Sequence, residues 1–136
     1  MNKFLNALEV GVESAQNREL NFLEIHEVFT ELKTNIDAFL DGKAVTVFES
    51  LTGLGRQDYF KNKTNLFQDK VLSIQENKKR HKLTQVYFSH DNGYPCTITI
   101  NEDEYTATNK SSLEDNLKTL LSTPSIGTIF YTIQKE

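Results

Sequence analysis

Apolar residues recur every three or four positions near the start of the chain and every second position in several later stretches. The first period marks one face of a helix, the second one face of a strand. Phe22, Ile25, Val28, Phe29, Leu32, Ile36, Phe39 and Leu40 share an arc of about 120° at 100° per residue, which predicts an amphipathic helix over 22–40. Asn21, with Glu24 three residues on, has the form of a capping box at its start. Asp41-Gly42 ends it, Gly42 supplying the left-handed geometry a helix terminus favours. Phe4, Leu5, Leu8, Val12 and Ala15 predict a helix over 3–15, weakened by Gly11. The polar stretch 17–21 divides the two into a helical pair.

The later pattern is strand-like. AVTVFESL (44–51) and VLSIQ (71–75) read as strands. Between them lies a long connection, 52–70, which Tyr59, Phe60, Leu66 and Phe67 pin to the core and which should contain a short helical turn. ENKKRHK (76–82) is a polar link. Residues 83–122 then read strand, turn (His90 to Gly93), strand, turn (Asn101 to Glu104), strand and a helix capped by Ser112 with Asp115. Asn92-Gly93 is a strong hairpin signal, because both residues tolerate positive φ. Pro95 lacks a ladder N–H, so its strand lies at an edge or begins unpaired. For 124–134 two readings stay open. Thr123-Pro124 starts a helix, whereas IGTIFYTI would also serve as a strand; the Thr-Pro start favours helix.

These elements predict one α+β domain over 1–136: two layers, with a mainly antiparallel meander of four to six strands. The N-terminal helical pair and one or two C-terminal helices lie on one face. At 136 residues, with nine Phe and five Tyr, the chain can bury a core without metal or disulfide. Cys96 is its one cysteine, which fits a reducing compartment. The N-terminus does not read as a signal peptide, and no apolar run suits a membrane span. A soluble, cytoplasmic protein is expected. Two matches to the glycosylation pattern, Asn62-Lys63-Thr64 and Asn109-Lys110-Ser111, then have no consequence.

Net charge is −4, but it is segregated. Residues 1–55 carry four basic and nine acidic side chains, 56–82 eight and three, and 83–136 three and seven. A basic island thus sits between acidic flanks, which bears on partners and not on fold. Two surfaces follow. Glu24, Glu27 and Glu31 form an acidic stripe on one helix face, able to steer a basic protein partner, with Glu9 and Glu13 as a similar pair. Lys78, Lys79, Arg80 and Lys82, with Arg56, could contact anions or nucleic acid, though no stacking aromatics or recognition helix accompany them.

Catalytic and metal signatures are weak. His90-Asp91 precedes Cys96 across a turn, but alternation puts Cys96 on the apolar face with Tyr94, Ile98 and Ile100. His26, His81, His90 and Cys96 lack ligand spacing, and His26 is placed on the polar side of its helix. Gly53-Leu54-Gly55-Arg56 follows a strand, yet Asp58 occupies the place of a dinucleotide fingerprint's third glycine. No catalytic residue, cofactor or metal is therefore expected. In general style, though not by motif, the chain resembles small bacterial or phage accessory proteins such as toxin-immunity proteins and inhibitors. That resemblance implies binding to a protein partner; the basic 56–82 segment makes nucleic-acid binding the second reading, and a hydrolase using an unrecognised carboxylate site is the third.

Overall fold

A single helix, α1 (Lys3–Leu40), stands where the pattern suggested a helical pair. The computed structural model describes residues 2–50, 58–61 and 67–136. The supposed break at 17–21 contains neither Pro nor Gly, and each of its residues costs a helix at most about 0.7 kcal/mol relative to Ala. Asn2 caps the helix by accepting from the Phe4 and Leu5 N–H groups. Asn21 caps nothing; its side-chain amide donates to the Asn92 carbonyl at 3.0 Å. Asp41 (φ 51°) and Gly42 (φ 80°) turn the chain out of the helix.

Among the described residues five strands form one antiparallel meander in sequence order. They are β1 (Val45–Ser50), β2 (Lys70–Glu76), β3 (Lys79–Ser89), β4 (Gly93–Ile100) and β5 (Asp103–Ala107). The polar link at 76–82 is mostly strand: Asn77-Lys78 alone make the turn, and β3 starts at Lys79. Asn77 takes positive φ (54°), as do Asn101 and Glu102 (50° and 75°) in the two-residue turn joining β4 to β5. Gly93, at φ 83°, has a further reason to lack a side chain. A Cβ there would lie 2.5 Å from the Phe67 ring. Pro95 sits in an inner strand, at an unpaired start: β3–β4 register jumps from Phe88↔Cys96 to Ser89↔Gly93, and β5 pairing begins at Cys96↔Ala107.

Two helices follow, α2 (Lys110–Leu121) and α3 (Pro124–Lys135). The tail is thus helical, with Pro124 in its first turn. The α2 cap lies three residues before the expected one. Asn109 accepts from the Ser112 N–H at 2.9 Å, and the Ser112 hydroxyl accepts from the Asn109 N–H at 3.2 Å. Of the 52–70 connection, Asp58 to Lys61 form a turn, while Leu66 lies outside the described residues. Tyr59 and Phe67 are buried, as their pinning role requires.

The three helices and the sheet enclose one core. From α1 come Ile25, Val28, Phe29, Leu32, Ile36 and Leu40; from the sheet Phe48, Leu72, Ile74, Val86, Phe88, Cys96 and Ile98; from the other helices Leu113, Leu117, Leu120, Ile126, Phe130 and Ile133. Phe29 stacks on Phe48 with ring centroids 4.5 Å apart. Each fully buried side chain of this size contributes roughly 1.5–3 kcal/mol. Asp37 fastens α1 to β1: its Oδ1 accepts from the Thr46 N–H at 2.8 Å and the Thr46 hydroxyl at 2.9 Å, and its Oδ2 pairs with Lys33 at 2.6 Å. The other face of the sheet carries polar pairs such as Thr97–Thr106, whose hydroxyls lie 3.0 Å apart.

Candidate functional site

The three carboxylates of the acidic stripe have different surroundings. Glu24 is half-buried and accepts a hydrogen bond from the Tyr94 hydroxyl at 3.3 Å. Glu27 is exposed and pairs with Lys110 at 3.5 Å, an interaction worth little in water. Glu31 is exposed on the wall of a groove between α1, α2 and α3. Burial and the Glu24 carboxylate push the Tyr94 phenol above its usual value. Glu24 therefore helps hold α1 on the sheet, while Glu27 and Glu31 face solvent.

The basic run is divided by the hairpin. Lys78 lies in the turn, and Lys79, Arg80 and Lys82 lie in β3, where successive side chains take opposite faces. Arg80 forms an ion pair with Glu49, and His81 approaches Glu76 at 3.4 Å. Lys78, Lys79 and Lys82 are exposed. Arg56 and the two glycines near it lie outside the described residues. Within the island, Lys70 is buried, its ammonium 5.9 Å from the centroids of both Phe48 and Tyr59 and 3.2 Å from the Gln68 carbonyl. Burial pulls its pKa down to about 8.

Cys96 is fully buried, and burial pushes its thiol up to about 12, away from a reactive thiolate. His90, the imidazole nearest in sequence, is exposed. His26 departs from its expected polar setting: its Nδ1 lies 2.6 Å from the Tyr59 hydroxyl, and its ring stacks on Phe22 at 6.2 Å. Burial raises Tyr59 to about 12, so the phenol keeps its proton. Glu76 and Glu136 share a carboxyl–carboxyl hydrogen bond, which holds Glu76 below the usual range and Glu136 above it. Neither lines a groove described here. Among the described residues no three His, Cys, Asp or Glu side chains gather closely enough to hold a metal ion, and no helix is long and apolar enough to cross a membrane.

The most unusual surface is the apolar stripe at the start of α1. Every residue from 2 to 20 is exposed, and the first buried side chain of α1 is Ile25. The first five turns of the helix thus form an arm about 27 Å long. Phe4 is 70% exposed, Leu5 53%, Leu8 67% and Val12 59%. At 100° per residue their stripe is centred roughly a quarter-turn from the face buried further along α1, so it is a separate surface. Arg18 marks the root of the arm, its guanidinium 5.0 Å from the Phe67 centroid. Beside the root is a polar hollow of about 480 Å³ bordered by Asn21, Glu24, Asn92, Tyr94 and Asn109. The groove between the three helices, about 500 Å³, has an apolar lining that includes Leu32, Ile36, Phe39, Leu117 and Phe130.

Comparison with known proteins gives no match: no family model, curated protein or solved structure is significantly similar to this chain.

Proposed function

We propose that this domain works by binding a protein partner, which it neutralises or regulates, and that the arm of α1 is its contact element. The observation that carries the reading is the stripe of Phe4, Leu5, Leu8 and Val12 standing in water on an ordered helix. Clustered apolar exposure costs free energy unless a partner covers it, and an amphipathic helix is a recurrent docking element. A thiol nucleophile has less support: Cys96 is fully buried, and burial holds its proton. A photo-crosslinking residue placed at position 8, in the native host, tests the reading. A stoichiometric protein adduct at position 8, missing when the same residue is placed at Thr106 on the polar sheet face, is the expected result. Equal, diffuse labelling from both positions would remove the support for the arm.

A further inference from the structure

Resting on that docking reading, we infer the chemistry of the partner: an apolar surface edged by Lys or Arg, of the kind a basic amphipathic helix presents. The arm's stripe is not symmetric in charge. Glu9 follows Leu8 and lies one turn beyond Leu5; Glu13 follows Val12 and lies one turn beyond Glu9. Both are exposed and form no ion pair among the described residues. Glu24, Glu27 and Glu31 fall at helical spacing on the same edge further along α1, but Glu24 accepts from Tyr94 and Glu27 pairs with Lys110, so the charge offered to a partner is mainly that of Glu9 and Glu13. The arm's cations are Lys3 and Arg18. Lys3 lies over the Phe4 ring at 5.4 Å and Arg18 over Phe67, so neither neutralises that edge. A partner with cations beside its apolar face gains attraction along the edge and faster encounter, whereas an acidic one is repelled.

The same asymmetry argues against two other occupants. Antiparallel pairing of two copies through the stripe lays the Glu9–Glu13 edge of one along that of the other. Parallel pairing sets two acidic N-terminal regions side by side. A bilayer with anionic headgroups meets the carboxylates as like charge.

The test uses the full chain and two synthetic, fluorescently labelled peptides of about five helical turns, each with a Leu stripe. One is edged with Lys, the other with Glu. Anisotropy should show binding of the Lys-edged peptide only. Leu8→Asn with Val12→Asn, and separately Glu9→Lys with Glu13→Lys, should each raise Kd about tenfold or more. Glu102→Lys with Glu104→Lys changes net charge equally at the far end of β4 and should leave Kd nearly unchanged. All these side chains are exposed, so melting temperatures should stay at the wild-type value.

If the stripe variant weakens binding while reversing Glu9 and Glu13 does not, or if the Glu-edged peptide binds as tightly, the basic partner is refuted and docking by the arm survives. If the stripe variant has no effect on either peptide, the docking reading falls too. A dimer in sedimentation of the purified chain, abolished by Leu8→Asn with Val12→Asn, would instead make a second copy the occupant. Flotation with phosphatidylcholine–phosphatidylglycerol vesicles would make it a lipid surface. Either result overturns the inference.

Discussion

A single carboxylate secures the end of α1 to the first strand. Thr46 is fully buried, and its N–H and hydroxyl both donate to Asp37 Oδ1. Leaving buried donors unpaired costs more than the hydrogen bonds themselves contribute, about 1–3 kcal/mol. Asp37→Ala should therefore lower unfolding free energy by about that amount in urea titrations, and Asp37→Asn, which keeps an acceptor, by less. An alanine variant as stable as wild type would show that the contact carries no net weight. The pairing was not legible beforehand, because Asp37 looks like an ordinary polar-face residue until the chain turns back and brings Thr46 to it. The setting of His26 is hidden for the same reason: its partner, Tyr59, belongs to a distant segment. Local pattern does not single out the Asn109 cap, because Ser112 with Asp115 makes an equally good one three residues later.

Elements were more legible than contacts. The antiparallel meander and the C-terminal helices follow from alternation, turn residues and Thr-Pro, all local properties, although the turns are shorter than the polar stretches suggest: Asn77-Lys78 within 76–82 and Asn101-Glu102 within 101–104. The continuity of α1 was not, because the apolar pattern lapses over 17–21 and a lapse suits a break or a solvated turn of helix equally well, although Arg18, Glu19 and Leu20 are good helix formers. Nor was the exposure of its first half: periodicity tells which side chains share a face, and nothing about whether anything covers it. Gly11 sits within that half with open space around it. Gly11→Pro should remove a helix hydrogen bond and disturb the arm by about 3 kcal/mol locally, since proline lacks the N–H and clashes with the preceding turn. Far-ultraviolet circular dichroism should record lost helicity, while the urea midpoint followed through tyrosine fluorescence stays put, because the first side chain of α1 packed against the core is Phe22, about three turns beyond Gly11. A falling midpoint would mean that arm and domain unfold as one unit.

At the scale of the whole molecule, ionisable groups in the core shape stability against pH. Lys70 titrates near 8 when folded, down from its usual 10.5 through burial. Across that interval the unfolded chain holds a proton that the native state lacks, so stability rises with pH from about 8. Cys96 acts oppositely. Burial lifts it from 9.0 to about 12, so above pH 9 the unfolded thiol releases a proton the native one keeps, and stability declines. Tyr59, lifted from 10.0 to about 12, adds to the decline. Urea midpoints should climb between pH 7.5 and 9, then fall toward pH 11. Lys70→Met should abolish the climb and leave the fall; a wild-type midpoint that drops steadily from pH 7.5 contradicts the assignment.

The unbroken course of α1 has a mechanical consequence. Beyond Gly11 no glycine or proline interrupts the helix until Gly42, so the protruding portion and the portion clamped by Asp37 move as one rod. Whatever grips the free end also fixes the angle at which the threonine-lined side of the sheet is held out to the surroundings.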